Sequence, residues 1–222
     1  METLGSVRDL DVLIHAVSAG PALAPADAED LKGSVLRDLQ GPVRRMMDHL
    51  DGPEHRELLE ALQAAAEVRA EGPAAVAEGP RRILRAVQDV LEGRPASWEN
   101  APEEALHDLR KRIKRLRYAL EAFRPAFGRP LAETIDRCRD LQEALGAVQD
   151  AAAFGGILRE FRTFAAGQFL ASVRMGAAAR RADLPTLWKR ALGPRMLGRL
   201  AAHLLRRASR PAPPAPEVRA AG

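Results

Sequence analysis

The sequence predicts an all-α protein, and three features of the chain support that class. Ala, Leu, Arg and Glu, which favour helix, dominate the 222 residues. Aromatic residues make up only 4% of the chain, which disfavours a β-sandwich and a nucleic-acid reader that stacks bases. Gly and Pro recur at helix-length intervals, and no segment has a convincing strand pattern. The predicted architecture is therefore a bundle of helices.

The turn-forming residues set the expected helix boundaries. We expect helices over 2–18, 27–50, 54–71, 73–92, 102–124, 130–165 (where the pattern allows a break), 166–182 and 184–206. Gly41-Pro42 and Gly193-Pro194 fall inside helical patterns and are expected to kink or restart them. Pro185, following Asp183 as a candidate cap, favours a helix start. The end of the chain, 206–222, is rich in Pro and Ala, and we expect it to be disordered.

The helix predicted over 102–124 carries the strongest functional signal of the chain. Six Lys or Arg residues fall between Leu106 and Tyr118, with Asp108 as the single acid. At about 100° per residue, six side chains share one arc of roughly 120°. We call this arc the cationic face, and its members are His107, Arg110, Lys111, Lys114, Arg117 and Tyr118.

The apolar residues of the same helix explain how the cationic face is held in place. They fill the adjacent arc and are expected to fix the helix to a core: Leu106, Leu109, Ile113, Leu116 and Leu120. Arg112, Arg115 and Asp108 lie on the remaining side. A run of charge on a helix is usually a solvated surface, but such surfaces normally mix the two signs. Because the cationic face has almost no acid, it is interpreted as an anion-binding surface.

Composition limits the other functions that the chain could have. Its 24.1 kDa suffice for one large or two small domains, and the pI of about 9.8 suits an anionic partner. The single cysteine, Cys138, excludes an internal disulfide and a cysteine-based zinc site, and we expect it to be packed on a helix. No signal peptide and no long apolar run is visible, so we expect a soluble, cytoplasmic protein. No metal site, cofactor site or catalytic set is predicted.

Two segments of the sequence echo each other. Leu4–Leu13 and Leu145–Phe154 share Leu, Gly, Val and Asp at the same places, which suggests two related helical halves. Within the first copy, Arg8, Asp9 and Asp11 could suggest catalysis or a metal, but Arg–Asp pairing that locks helices together is favoured. The second copy follows the cationic helix, whereas the first begins almost at Met1.

These segments carry a resemblance to a known family. His107 to Glu121 resembles the second-half signature of the conserved histidine α-helical domain (CHAD) family, and Leu4–Leu13 resembles its first-half segment. The resemblance covers roughly residues 1–205, as a partial first half over about 1–92 and a second half over about 93–205. It implies two helical halves around a basic groove, of which the first is incomplete. An equivalent His-x-x-Arg helix of the first half is not seen, so the domain looks N-terminally shortened.

The resemblance also implies a function. It implies binding of inorganic polyphosphate by the cationic face, without catalysis, and association with polyphosphate granules. Arg81, Arg82 and Arg85 form a second basic segment and are candidates for the border of the groove. A homo-oligomer or a separate chain could complete the groove, and no membrane partner is expected. The alternatives are nucleic acid, which the low aromatic content disfavours, an acidic protein surface bound by the same face, or a structural remnant of a truncated domain.

Overall fold

The fold is all-α, as the sequence predicts. The computed structural model describes residues 2–20, 22–67 and 73–208. Within these ranges there are eight helices and no strand. In chain order they are α1 (Glu2–Ala19), α2 (Pro25–Leu50), α3 (Pro53–Glu67), α4 (Pro73–Glu92), α5 (Glu103–Phe127), α6 (Arg129–Ile157), α7 (Phe164–Leu192) and α8 (Pro194–Ala208). The expected disorder of the C-terminal tail falls, from residue 209 onward, outside the described residues.

Most expected helices are present, but the expected boundary at Pro185 is wrong. α7 runs through Pro185 and ends at Leu192, so the break lies at Gly193 and α8 begins at Pro194. Pro185 removes one helical hydrogen bond. On either side of it, however, Leu184 and Trp188 are buried at 0% and 6% exposure, and this packing outweighs the local signal.

The break allowed within 130–165 is present. α6 ends at Ile157, and α7 begins at Phe164. Thr163 caps the new helix, because its hydroxyl accepts a hydrogen bond from the Ala166 backbone N–H at 3.2 Å. By contrast, Pro42 and Pro125 lie inside helices, and α2 and α5 continue past them.

The chain divides into two compact units. Unit 1 comprises Met1–Arg69, Pro95–Arg110 and Gln142–Pro185. Its core joins α1 and α2 to the end of α6 and the start of α7. Leu13 and Val35 are fully buried in this core, and the rings of Phe154 and Phe169 lie 6.2 Å apart between centroids.

Unit 2 comprises Ala70–Arg94, Lys111–Leu141 and Thr186–Gly222. Its buried residues come from α4, the second part of α5, the first part of α6, the end of α7, and α8. Gly79 on α4 lets the phenylalanines of α5 approach closely, because a Cβ there would lie 2.8 Å from a ring carbon of Phe123. α5, α6 and α7 each contribute residues to both units.

Candidate functional site

Helix α5 has the three sides that its sequence predicts. The apolar side is fully buried, since its five predicted core residues, Leu106, Leu109, Ile113, Leu116 and Leu120, all have 0% exposure. This burial fixes the rotation of the helix about its axis. The cationic face and the remaining flank are consequently held at the protein surface, on either side of the buried stripe.

In unit 1, Gln149 of α6 organises the start of the cationic face. The Arg110 guanidinium donates a hydrogen bond from Nη1 to the Gln149 side-chain oxygen at 3.0 Å. Because Arg110 can only donate, the oxygen of Gln149 must face it, and the Gln149 amide nitrogen then faces His107 Nδ1. In that arrangement the neutral His107 ring accepts at Nδ1 and carries its proton at Nε2. A second hydrogen-bond donor is therefore available for a ligand beside Arg110.

Gly146 and Asp150, also on α6, complete the surroundings of Arg110. A Cβ at Gly146 would lie 3.3 Å from Arg110 Nη2, so the guanidinium rests against a residue that has no side chain. Burial raises the pKa of the Asp150 carboxyl above its ordinary value, and Asp9 adds to that rise, while the charges of Arg110 and Arg8 oppose it. Arg110 thus has a neutral hydrogen-bond partner and a carboxyl group near it.

In unit 2, Lys114 and Arg117 flank the one tyrosine of the chain. Lys114 Nζ lies 5.6 Å, and Arg117 Cζ 4.9 Å, from the centroid of the Tyr118 ring, which is 50% exposed. Lys114 and Lys111 are exposed, and Lys111 has an interaction of its own. Within the described part of the chain, no acid lies within ion-pair distance of Lys114. Its charge is therefore open to an external anion.

Arg117 is the most enclosed member of the face in unit 2. Its side chain is 18% exposed, and Nη1 donates to the Glu121 carboxylate at 3.2 Å. Glu121 is also 4.0 Å from Arg139. Burial raises the pKa of the nearby Cys138 thiol to about 12, with the Arg117 charge opposing the rise, so the buried cysteine stays protonated at neutral pH.

The opposite flank of α5 differs from the cationic face because its arginines have an acid from another helix. Arg112 Nη1 donates to the Asp89 carboxylate of α4 at 2.6 Å and to the Asp89 backbone carbonyl at 2.9 Å. Arg115 lies 3.8 Å from the other carboxylate oxygen of Asp89. We call Arg112, Arg115 and Asp89 the paired flank.

The arginines predicted to border the groove, Arg81, Arg82 and Arg85, are all exposed on α4. Arg81 is 4.0 Å from Glu78, a contact too long and too exposed to hold it firmly. Arg82 and Arg85 lie one to two turns before Asp89 on the same side of α4, next to the paired flank. Their role as a border, like the groove itself, stays a prediction.

The site offers hydrogen-bond donors and positive charge. Across the described residues, no group of three or more His, Cys, Asp or Glu side chains is placed to hold a metal ion. No described helix is long and apolar enough to cross a membrane. The arrangement is suited to holding an anion along one helix.

A family model, the CHAD domain, matches residues 1–159. The chain belongs to the CHAD domain family. The match contains both echo segments and the whole cationic face, while α7 and α8 lie beyond it. No curated protein and no solved structure matches the chain.

Sequence reasoning missed the α6 residues of this CHAD domain that surround Arg110. Gln149, Gly146 and Asp150 all belong to the second echo segment, so the repeat itself was the available signal. Asp150 also lies close enough to Arg8 and Asp9, in the first echo segment on α1, for their charges to affect its pKa. The charges of Arg8 and Asp9 thus act in opposite directions on a carboxyl of another helix, and Arg–Asp pairing that locks helices together stays a prediction.

Proposed function

We propose that this protein binds inorganic polyphosphate along the cationic face of α5 and does not catalyse a reaction on it. One observation carries the proposal. On one helix, the arginines of one flank have an acid from α4, whereas Lys114 has no acid partner and Arg110 bonds to a neutral amide. A cation that the fold leaves without an acid partner, as it does Lys114, is suited to an external anion.

The residue types suit a polymer of phosphates. A guanidinium group can bind two phosphate oxygens at once. The Nε atoms of Arg110 and Arg117 are buried, without a partner among the described residues, so each arginine would contact phosphate through its two Nη atoms. Lys114 acts as a compact point charge, and Tyr118 adds a neutral hydroxyl donor. His107 would donate from Nε2. Such a set of side chains recognises the charge and the spacing of the phosphate groups and requires no apolar pocket.

Family membership supports the same conclusion in general terms, since the CHAD domain is linked to binding of polyphosphate or triphosphate. We propose further that the protein associates with polyphosphate granules in the cytoplasm. Nucleic acid presents a phosphate backbone as well, so it is the natural competitor in a binding assay.

The test is a binding titration with long-chain polyphosphate at fixed ionic strength. Replacing Arg110, Lys114 and Arg117 together by Ala should lower affinity roughly 100-fold, if each contact contributes about 1 kcal/mol. The slope of log affinity against log salt should shrink by about 2, because three phosphate contacts are lost. Phosphate release from polyphosphate should stay at the buffer background for both proteins.

The matched control removes three exposed arginines elsewhere, Arg44, Arg45 and Arg56 on α2 and α3, and should leave affinity within about two-fold. Circular dichroism checks that both variants keep their helices. Equal binding by the parent and the first variant would disprove the proposed site. Displacement of polyphosphate by nucleic acid at near-physiological salt, without the reverse, would make nucleic acid the ligand.

A further inference from the structure

Unit 1 contains a cavity that does not include any residue of the cationic face. Its volume is about 340 Å³, near the lower end of the roughly 300–1,000 Å³ found for small-molecule sites. Its walls come from the start of α5, the second part of α6 with the turn that follows it, and the middle of α7. The lining residues that bear on its chemistry are Glu103, Gly155, Arg159, Arg174 and Arg181.

Three arginines and one acid give this cavity a net positive lining. They are Arg159, Arg174 and Arg181 against Glu103. No ion pair ties any of the three arginines to an acid of the described chain. Like charges gathered in one concave place repel each other, and an anion between them would offset that repulsion.

Arg181 is fixed in position by the backbone. Its Nε donates to the Trp98 carbonyl at 3.0 Å, and its Nη2 donates to the Ala101 carbonyl. These bonds hold one guanidinium in place before any ligand arrives, which lowers the entropy lost on binding. Its other Nη remains available for a ligand.

Gly155 lets Arg174 approach the backbone of α6. A Cβ added to Gly155 would lie 3.4 Å from Arg174 Nη2, so Arg174 extends across α6 where that helix has no side chain. The first backbone N–H groups of α5, where Glu103 lies, add the partial positive charge of a helix N-terminus. Glu103 and Glu104 in the first turn of α5 oppose that charge, so the arginines are the main source of positive potential in the cavity.

We propose that this cavity is a second anion-binding site, separate from the cationic face, that takes a compact phosphate group. The group is a free phosphate such as pyrophosphate, or the terminal phosphate of a longer chain; both present the same oxygens. Arg159, Arg174 and Arg181 bind it, and the carboxylate of Glu103 weakens the binding. The site is independent of whether the cationic face binds polyphosphate.

Isothermal titration of the full chain with pyrophosphate at low ionic strength tests the proposal. Replacing Arg159 and Arg174 together by Ala should weaken binding at least ten-fold. The matched control, Arg162→Ala with Arg180→Ala, removes two exposed arginines of the same region that do not line the cavity, and should change little. Glu103→Gln should tighten binding several-fold, whereas Glu104→Gln, one residue away and outside the lining, should not.

The outcomes separate this site from the proposed function. A variant lacking Arg110, Lys114 and Arg117 should still bind pyrophosphate like the parent, even if it has lost long-chain polyphosphate. Absence of pyrophosphate binding in the parent, or equal loss in the cavity and control variants, would overturn the proposal. Loss of pyrophosphate from the cationic-face variant would also overturn it, since that face would then be the binding site.

A second arm identifies the source of the phosphate. Polyphosphate with free ends and polyphosphate with esterified ends are titrated against the Arg159→Ala, Arg174→Ala variant. If the variant binds the free-ended polymer more weakly than the parent does, but binds the esterified polymer equally well, the cavity takes chain termini. No loss for either polymer, together with lost pyrophosphate binding, assigns it to free small phosphates.

Discussion

The two charged flanks of α5 carry similar residues, but the fold uses them differently. Arg112 and Arg115 face Asp89 of α4, with distances of 2.6 and 3.8 Å to its carboxylate oxygens. On the cationic face, Arg110 is held by the neutral Gln149, and Lys114 lies against the Tyr118 ring. The positive charge of the paired flank forms ion pairs within the fold. The positive charge of Arg110 and Lys114 on the cationic face is oriented by neutral groups and remains open to a ligand.

This difference shows that a count of charges along a helix does not identify a binding surface. What matters is whether a neighbouring helix supplies the opposite charge. Arg117 lies between the two cases, because its partner Glu121 is on the same helix, one turn away, and is itself 35% exposed. Such an exposed pair contributes little to stability and can give way to a ligand.

The most direct test of the difference between the two flanks uses two separate charge-reversal variants, at two consecutive exposed residues. Lys114→Glu should lower polyphosphate affinity roughly ten-fold or more, about 1.4 kcal/mol, because a contact becomes a repulsion. Arg115→Glu makes the same change of charge on the paired flank, and its affinity should stay within about three-fold. Binding titrations of both variants at one ionic strength give the ratio. Equal losses would mean that total charge, and not the face, controls binding.

A second variant tests the structural role of the paired flank. Arg112→Ala should lower the free energy of unfolding by about 1 kcal/mol, since it leaves Asp89 without its closest cation while solvent still reaches the pair. Polyphosphate affinity should remain within about two-fold. Urea unfolding followed by circular dichroism measures the stability. Lys114→Ala serves as the control and should unfold within about 0.5 kcal/mol of the parent. If Lys114→Ala lost more stability than Arg112→Ala, the cationic face rather than the paired flank would be the one that stabilises the fold.

The smallest expected effect concerns the carboxyl group near Arg110. The pKa of Asp150 is raised by burial, so ionisation costs more in the folded than in the unfolded chain. The protonated form therefore adds stability that is complete below the ordinary pKa of 3.8 and is lost as pH rises through the raised value. Asp150→Asn should be slightly more stable than the parent at pH 7, because solvent screening of this half-buried group limits the gain, and should show no advantage near pH 3.

The same substitution should strengthen polyphosphate binding about two-fold at pH 7, because it removes a negative charge near Arg110. Asp140→Asn, an exposed carboxyl of the same helix, is the control and should change neither quantity. Lower stability of Asp150→Asn at pH 7 would show that the attraction of Arg110 and Arg8 outweighs burial.

The two echo segments show how far sequence reasoning reaches. Their shared Gly predicted a repeat but not a role for either glycine. Gly146 lies against Arg110, whereas a Cβ at Gly5 would meet nothing within 4 Å. Packing places the glycine of one copy against an arginine of the candidate site, and the pattern by itself does not say which copy that is.

The same holds for helix boundaries. Leu184-Pro185 and Gly193-Pro194 both carry local breaking signals, and the chain breaks only at the second. Burial of Leu184 and Trp188 holds α7 together through its proline. Residues distant in sequence decide this burial, which a local pattern does not record.

The sequence by itself determined the helical class, the family, and the angular position of each side chain on α5, because the helical period depends only on local geometry. The tertiary structure decided which cations of α5 are neutralised. It brought Asp89 to Arg112 across 23 positions of the chain, and Gln149 to Arg110 across 39. Such pairings arise when apolar faces of different helices are buried together, and that burial depends on the whole core.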